Sequence, residues 1–324
     1  MNAPLDSRLD RFLDLEPELE DFRTAILAGL SRPRKSTPAK FFYDAEGSRL
    51  FERICELPEY YPTRTECRIL RDQAAEIGAD LPSGATVLEF GSGSAEKIGL
   101  LLEALDRPRA YMPLDISRDH LLASADAFAA DHPELEVIAI CADFTEPLNL
   151  DGIAPEGPRI GFFPGSTIGN LEEAEAARFL EGAARTLGPG GHFVIGVDLV
   201  KDPMVLEAAY DDAQGVTAAF NLNLLARINR ELDGDFDLEA FRHVAIWNPE
   251  LWRIEMHLMS LREQTVHVAD QPFHFRVGET IHTENSHKYT VDGFARMAAC
   301  AGFETRRCLT DPDNLFSVHV LKVV

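Results

Sequence analysis

Between residues 85 and 200, short apolar runs alternate with segments that carry apolar residues at helical spacing. The runs predict five strands, at 86–90, 110–114, 136–141, 159–163 and 192–197. The segments between them predict helices at 95–105, 118–130 and 171–187. Such alternation across short loops is typical of an α/β fold with a mostly parallel, Rossmann-like sheet covered by helices. Ligands of such sheets bind at the carboxyl ends of the strands.

The chain on either side of this region follows a different pattern. Residues 5–30 carry helical spacing and predict two helical pieces separated by Pro17, and further helices are predicted at 48–55 and 65–77. After residue 200 a helical region, interrupted near Gly215, leads into strands that we predict to be mostly antiparallel: 241–247, 251–261, 265–268 and 273–275. A helix at 291–301 and strands at 304–309 and 316–323 follow.

These patterns predict two domains. The first comprises residues 1–200 and is completed by residues 287–324. Residues 201–286 are too many for a connection, so we interpret them as an inserted α+β lobe that recognises the substrate.

Composition narrows the classes of partner. The 324 residues include 31 basic and 54 acidic side chains, which gives a net charge of −23. Proteins that bind nucleic acids need basic patches to neutralise phosphates, so the charge argues against nucleic acids and against anionic membranes. No apolar run approaches the roughly 20 residues that span a bilayer. We expect a monomer that acts on a small molecule.

The cysteines and the first residues indicate a cytoplasmic protein. Five cysteines are scattered without a C-x-x-C motif, as expected in a reducing compartment without disulfides. Residues 1–20 are acidic and contain Pro4 and Pro17, so we expect neither a signal peptide nor a transit peptide. His257, His282 and His287 match no metal-binding spacing, and we expect no metal.

The strand at 86–90 leads into Gly91-Ser92-Gly93, with a helix predicted to begin near Ser94. Glycines allow a ligand to approach the backbone, and amides at a helix start favour an anionic group. A dinucleotide-binding loop would have glycine at position 96, where this chain has Glu96. Glu89-x-Gly91-x-Gly93 instead resembles the first motif of class I S-adenosylmethionine (SAM) methyltransferases. From this stretch alone, a plain strand-to-helix turn is the alternative.

Acidic side chains recur at the predicted carboxyl ends of the strands. Asp115 could accept hydrogen bonds from both hydroxyls of a ribose, and Asp143 could accept from the adenine amine while Phe144 packs on the ring. Lys97 could pair with the methionyl carboxylate, and Glu89 could position the methionyl end or brace the loop. Each acid could equally cap the following helix, although Ser117 is a better cap than Asp115.

Two further stretches could bind a substrate. Asn170 and Glu173 have the spacing of a capping box, but Asn170 also lies at a strand end, where its amide could contact both an amine and a carboxylate. Glu284 and Ser286 alternate, so in an extended segment they point to the same side and could hold a heterocycle with two nitrogens. A solvated strand end is the alternative for this pair.

Several longer blocks resemble the histidine-specific Nα-methyltransferases of ergothioneine biosynthesis, a resemblance that extends from about residue 20 to the C-terminus. The blocks are Lys40–Asp44, Leu57–Glu66, Gly165–Leu171, Asp198–Asp202, Tyr210–Asn221 and Thr283-Glu284-x-Ser286-x-Lys288. One departure is Tyr289, where the family pattern has phenylalanine.

The resemblance implies three successive methylations of the α-amine of L-histidine by SAM, which give hercynine. It implies a SAM site formed by Tyr43, Gly91, Lys97, Asp115, Asp143 and Phe144. It implies a substrate site formed by Tyr60, Gly165, Asn170, Tyr210, Met256, Glu284 and Ser286.

Within that implied substrate site, each residue has its own role. Asn170 and Tyr210 would hold the carboxylate, and Tyr60 and Asn170 would act catalytically by orienting the amine. Glu284 and Ser286 would bind the imidazole nitrogens, with Met256 packed beside the ring.

Other functions stay open from the sequence. A methyltransferase for another small amine, such as tryptophan, is disfavoured because an indole has only one N–H for the Glu284 and Ser286 pair to bind. A SAM-binding protein without turnover is disfavoured by the presence of Tyr60, Asn170 and Tyr210. A nicotinamide-dependent dehydrogenase is disfavoured by Glu96.

Overall fold

The computed structural model describes residues 9–16, 20–93 and 95–324. The helices within these ranges are α1 (Phe22–Leu30), α2 (Ala45–Cys55), α3 (Tyr61–Asp72), α4 (Ala74–Ala79), α5 (Ala95–Ala104), α6 (Arg118–Asp131), α7 (Glu173–Leu187), α8 (Pro203–Tyr210), α9 (Val216–Leu232) and α10 (Val291–Cys300). The strands are β1 (Arg11–Asp14), β2 (Lys35–Ser36), β3 (Thr86–Phe90), β4 (Ala110–Asp115), β5 (Glu136–Cys141), β6 (Arg159–Phe163), β7 (His192–Asp198), β8 (Phe241–Asn248), β9 (Arg253–Ser260), β10 (Gln264–Val268), β11 (Gln271–Phe275), β12 (Thr280–His287), β13 (Phe303–Thr310) and β14 (Phe316–Val323). Short 3-10 helices lie at Ala39–Phe42, Thr167–Asn170 and Leu238–Ala240.

The chain forms two compact units. The first comprises the described residues of Met1–Leu19 together with Arg64–Leu199 and Tyr289–Val324, and the second comprises Glu20–Thr63 and Val200–Lys288. The sequence placed residues 20–63 in the first domain, whereas the structure groups them with the second unit. The reason is long-range packing, because α2 packs against α9 and β2 pairs with β12.

The first unit contains an eight-stranded sheet in the order β1-β5-β4-β3-β6-β7-β14-β13. The first six strands in this order are parallel to their neighbours, and β14 and β13 continue the sheet in antiparallel fashion. This confirms the predicted Rossmann-like sheet. The chain passes from β3 outward to β4 and β5 and then returns to β6 on the other side of β3. The order therefore reverses beside β3, where ligands of such sheets bind.

Both faces of this sheet are buried under helices. Neighbouring residues in a strand point to opposite faces. One face therefore carries Val87, Tyr111 and Val137, which belong to a core with residues of α5 and α6. The other carries Leu88, Met112 and Ile138, which belong to a core with residues of α7 and α10. The carboxyl ends of the strands are thus held by a core on each side.

The predicted first helical piece is wrong where it can be checked. Residues 11–14 form β1, which pairs in parallel with β5. This pairing satisfies the backbone groups that face β5, and Asp10 additionally accepts a 2.8 Å hydrogen bond from the Val137 amide. Residues 5–8 and Pro17 of the same prediction lie outside the described residues. The second piece is confirmed as α1, which Asp21 caps at its N-terminus.

The predicted loop that follows α2 is shorter than expected. Helix α3 already begins at Tyr61 rather than near Thr65. Pro62 does not prevent this, because the first turn of a helix has no use for the missing N–H. The helix predicted at 65–77 is also divided, since α3 ends at Asp72 and α4 begins at Ala74.

The second unit is built on a four-stranded sheet in the order β2-β12-β9-β8, with a separate β10–β11 hairpin. Strands β8 and β9 are antiparallel, as predicted. Strand β12, which was not predicted as a strand, is antiparallel to β9 and parallel to β2. The predicted helix interruption is confirmed between α8 and α9. There the Asp212 carboxylate accepts from the amides of Val216 and Thr217, at 3.0 and 2.7 Å.

None of the helices in the described ranges has the length and apolarity needed to cross a bilayer.

Two glycines of the first unit should respond oppositely to alanine. A Cβ at Gly161 in β6 would lie 2.6 Å from the Phe193 ring and 3.0 Å from the Phe90 ring, so Gly161→Ala should destabilise the fold by about 1–3 kcal/mol. A Cβ at Gly99 in α5 would meet nothing within 4 Å, so Gly99→Ala should stabilise it by about 0.5–1 kcal/mol. Denaturant unfolding of both variants measures this, and effects of the same sign would contradict the packing described.

Candidate functional site

The loop after β3 passes close to an aromatic ring. Gly91 has a φ of +82°, a conformation that glycine adopts readily. A Cβ there would lie 3.4 Å from the ring of Phe144, which follows β5. The Gly91 amide donates a 2.8 Å hydrogen bond to the Leu114 carbonyl of β4. The ends of β3, β4 and β5 are therefore brought together around the glycine loop.

Asp115 fixes this loop. One carboxylate oxygen accepts from the Ser92 amide at 3.2 Å, and the other accepts from the Ser117 amide at 2.8 Å. Ser117 occupies the N-cap position of α6, as expected, but its side chain makes no capping hydrogen bond. A carboxylate has about four acceptor positions, so Asp115 can still bind a hydroxyl while it holds the loop.

Asp143 is engaged in a local turn. One of its oxygens accepts from the amide and the hydroxyl of Thr145, at 2.9 and 2.6 Å. Phe144 is partly buried, with its ring edge-on to Phe163 at a centroid distance of 5.8 Å. The Asp143 turn and the contact of Phe144 with Phe163 together fix the orientation of these two side chains after β5.

A buried ion pair lies at the start of α5. The Lys97 ammonium is 2.8 Å from a carboxylate oxygen of Glu66, and both side chains are less than a tenth exposed. The same Glu66 oxygen accepts a 2.8 Å hydrogen bond from the Gly165 amide after β6. Lys97, which the sequence assigned to the methionyl carboxylate, therefore already has an anionic partner.

Sequence reasoning gave no role to Glu66. Its second carboxylate oxygen is buried without a hydrogen-bond partner among the described residues. A Cβ at Gly196 would lie 1.9 Å from that oxygen, so glycine at this point of β7 makes room for the carboxylate. The only available signal was that Glu66 belongs to one of the family-like blocks.

Glu89 is a second buried acid, at the end of β3. It accepts a hydrogen bond from the Tyr111 hydroxyl of β4, and one of its oxygens has no partner within the described part of the chain. Burial raises the pKa of Glu89 to about 8. Close to neutral pH this group can therefore either donate or accept a hydrogen bond beside the glycine loop.

Asn170 lies in the 3-10 helix after β6, and the capping box predicted for it was wrong. The box before α7 is formed by Glu172 and Glu175, and the Glu172 amide donates to the Glu175 carboxylate at 3.0 Å. The pair Asn170 and Glu173 has the same spacing, but the helix begins after Glu172, whose extended backbone makes it the N-cap. The Asn170 amide is thus not used as a cap.

The second unit contains a group of tyrosines. The rings of Tyr60 and Tyr210 are 6.1 Å apart and edge-on, and both residues are buried. Tyr43 is 44% exposed overall, yet burial around its hydroxyl raises its pKa, as it does for Tyr60. The structure places Tyr43 in this unit, near Glu284 and Tyr210, whereas the other residues that the sequence assigned to SAM lie in the first unit.

Strand β12 presents the predicted acid and hydroxyl. Glu284 pairs with Met256 of β9 and Ser286 pairs with Ile254, so the two side chains share a face of the sheet. Burial raises the pKa of Glu284 to about 7, against the opposing charge of Lys288. The Ser286 hydroxyl lies 2.7 Å from the Tyr210 hydroxyl, and the Lys288 ammonium donates to both.

His243 was also missed by the sequence reasoning. The Asn221 amide donates to the His257 carbonyl and to Nδ1 of His243, at 3.1 and 2.8 Å. Nε2 of His243 therefore carries the hydrogen and donates to the Tyr210 carbonyl at 2.8 Å. Burial lowers the pKa of His243, which keeps the ring neutral in this arrangement. The backbone of Tyr210 is thereby held in place.

Two of the histidines considered for a metal do approach each other. Ligand atoms of His257, His282 and Glu255 lie within 4.8 Å of one another. The Glu255 carboxylate already accepts from Arg253 at 2.9 Å and from Asn248 at 3.0 Å. The guanidinium neutralises this carboxylate and opposes the approach of another cation.

An open α/β sheet with this strand order and an acid–glycine loop after β3 is the architecture of class I SAM methyltransferases. The chain belongs to the family of histidine-specific, SAM-dependent methyltransferases, whose pattern matches residues 22–323. The prediction of a SAM-dependent histidine methyltransferase is therefore confirmed, and the substrate is a small molecule.

Individual relatives agree with this membership. The chain is 45% identical over 321 residues to the histidine N-alpha-methyltransferase of Mycolicibacterium smegmatis, covering 96% of this chain and 98% of that protein. It is 44% identical over 303 residues to the histidine N-alpha-methyltransferase of Mycobacterium tuberculosis, covering 92% and 94%. It is 32% identical over 315 residues to ergothioneine biosynthesis protein 1 of Neurospora crassa, covering 91% of this chain and 34% of that protein.

The first unit should unfold more easily when Glu66 loses its charge. Glu66→Gln leaves the buried Lys97 ammonium without its anionic partner, which should cost about 3–5 kcal/mol in unfolding free energy. The matched control is Glu96→Gln, because Glu96 pairs with Arg71 at 3.3 Å on the exposed surface. That change should cost about 0–1 kcal/mol. Denaturant unfolding gives both values, and equal losses would show that the buried pair has no special role.

The stability of the protein without ligand should depend on pH through Glu284. Its pKa in the folded protein is about 7, above the ordinary value of 4.5, so the folded state favours the protonated carboxyl. The resulting stabilisation is complete below pH 4.5 and is lost as the pH rises through 7.

This pH dependence can be isolated with a variant that does not titrate. Between pH 5 and pH 8, the unfolding free energy of the wild type should fall relative to that of Glu284→Gln, because only the wild type titrates at this position. Glu250→Gln, at an exposed turn, should follow the wild type across the same range. Curves for Glu284→Gln and the wild type that stay parallel would refute the raised pKa.

Proposed function

We propose that this enzyme transfers three methyl groups in succession from SAM to the α-amine of free L-histidine. The product is hercynine, and the reaction is the first step of ergothioneine biosynthesis. The observation that supports this specificity is the pair formed by the partly buried Glu284 and the buried Ser286 on one face of β12. A neutral imidazole has one N–H and one bare nitrogen, which a carboxylate and a hydroxyl can satisfy together.

In the first unit, the residues around β3 fit SAM. Gly91 lies against Phe144 with no side chain between them, and Glu66 and Glu89 each retain a buried oxygen without a partner among the described residues. We assign the ribose hydroxyls to Asp115, the adenine amine to Asp143 and its ring to Phe144. Lys97 would hold the methionyl carboxylate, and Gly91 would lie against the methionyl part. For Tyr43, the assignment to SAM is supported by the resemblance alone.

In the second unit, the buried residues fit the amino acid. The Glu284 carboxylate would accept from the imidazole N–H, and the Ser286 hydroxyl would donate to the other ring nitrogen. Met256, which is 2% exposed beside Glu284, would pack against the ring. The Tyr210 hydroxyl would donate to the carboxylate. Glu284→Ala should then leave the ring N–H unpaired and weaken histidine binding by about 1–3 kcal/mol.

The amine is the reacting group. Bound SAM supplies a methyl carbon that its sulfonium already activates. The amine must lose a proton to water before its lone pair attacks; a nitrogen–carbon bond then forms as the sulfur–carbon bond breaks. We assign the orientation of the amine to Tyr60 and Asn170, with Gly165 beside Asn170. The aromatic face of Tyr60 can stabilise the cationic product. This chemistry requires neither a strong base nor a metal.

The remaining features of the proposal concern its setting. We propose a monomer in the cytoplasm that does not bind nucleic acids or membranes. The net charge of −23 and the scattered cysteines without a C-x-x-C motif support this setting. Light scattering after size-exclusion chromatography tests the monomer.

Mass spectrometry of the purified protein with SAM and the twenty pooled amino acids tests the function. Histidine alone should gain three methyl groups. The matched variants are Glu284→Ala, which should raise the Kd for histidine about 5- to 150-fold, and Glu250→Ala at an exposed turn, which should not. Methylation of another amino acid would reject the histidine specificity, and SAM binding without any methylation would reject the activity.

A further inference from the structure

Lys288 is a buried cation that the proposed reaction has not used. The residue is 3% exposed and follows Ser286 by two positions at the end of β12. Its ammonium lies 2.7 Å from the Ser286 hydroxyl and 3.0 Å from the Tyr210 hydroxyl. It also lies 4.7 Å from the centre of the Tyr210 ring. Three polar groups thus form a closed triangle inside the second unit.

The chemistry of these groups fixes the direction of the hydrogen bonds. An ammonium has three hydrogens and accepts nothing, whereas each hydroxyl both donates and accepts. The oxygens of Ser286 and Tyr210 must therefore both act as acceptors toward Lys288. A hydroxyl whose oxygen accepts from a charged donor becomes a stronger donor itself, because hydrogen bonds in a chain polarise one another.

The local charge also selects the ligand. Lys288 lowers the pKa of Glu284 against the larger effect of burial, so an acidic group already lies within the range of this cation. Close to Lys288, a ligand carboxylate is attracted at low dielectric, and a second cation is repelled. An amine that lacks a carboxylate would bring only positive charge to this region.

Accepting the proposed function as its basis, we propose that Lys288 is a positioning residue that makes the enzyme selective for α-amino acids over the corresponding decarboxylated amines. It does so by holding the oxygens of Tyr210 and Ser286 as acceptors, so that a ligand that replaces the 2.7 Å hydrogen bond between the two hydroxyls receives both of their hydrogens, and by attracting the ligand carboxylate. Lys288 acts through these two side chains and through its charge.

The test is the ratio of two affinities in the full-length protein. Isothermal titration with L-histidine and with histamine, in the presence of demethylated SAM, gives the preference for the carboxylate-bearing ligand. Lys288→Met should lower this preference at least tenfold relative to the wild type. Lys288→Gln keeps a donor of similar length without the charge and should lower it as well, so the test survives if the methionine variant does not fold.

The matched control is Lys35→Met. Lys35 is another lysine of the second unit with a mostly buried side chain, and it pairs with Glu279 rather than with Tyr210 or Ser286. Its variant should keep the wild-type preference even if it is less stable. Retention of the preference in a folded Lys288 variant would overturn the inference. An equal loss of affinity for both ligands would also overturn it, because it would show a purely structural role.

Failure of the proposed function would give a different result. A wild-type protein that binds demethylated SAM but neither histidine nor histamine would reject the histidine substrate, and with it the inference. A wild-type protein that prefers histidine, together with variants that share this preference, would reject the inference alone.

Discussion

The two groups of residues that we assign to ligands depend on the same physical constraint, the cost of a buried ammonium. An ion without water costs several kcal/mol unless partners surround it with good geometry. Lys97 meets this requirement through Glu66, at 2.8 Å. Lys288 meets it through the oxygens of Tyr210 and Ser286 and through the face of the Tyr210 ring. In each unit the partners of the lysine are residues that we assign to a ligand or that hold such a residue.

The constraint has structural consequences beyond the lysines. Because one Glu66 oxygen accepts from both Lys97 and the Gly165 amide, the start of α5 and the loop after β6 cannot move independently. The carboxylate fits only because Gly196 has no side chain. In the second unit, the hydrogen bond from His243 holds the backbone of Tyr210, so that its hydroxyl stays within reach of Lys288. Gly196 thus makes room for a buried charge, and the neutral ring of His243 holds a residue that contacts one.

The sequence predicted what depends on local pattern. The bounds of β5 and β6 were predicted without error, since buried parallel strands form continuous apolar runs between turns. The prediction failed at β1, because a short apolar segment fits both the helical and the strand period and its partner strand lies far along the chain. It also failed at the capping box, where two pairs share one spacing and only the backbone distinguishes them. The roles of Glu66 and Lys288 could not be predicted, because nothing in a local pattern shows that a charged residue is buried.

Repeated methylation explains why the proposed binding energy lies away from the reacting nitrogen. Each transfer replaces an N–H with a methyl group, so hydrogen bonds to the amine weaken from one step to the next while the ring and the carboxylate stay unchanged. Contacts that hold the substrate through all steps must therefore be made to those constant groups. The partly buried Glu284 and the buried hydroxyls and ammonium of the second unit are suited to this purpose, because the strength of their contacts does not depend on how many methyl groups the amine carries. Groups that orient the amine, such as Asn170 and Tyr60, need only tolerate its growing size and charge.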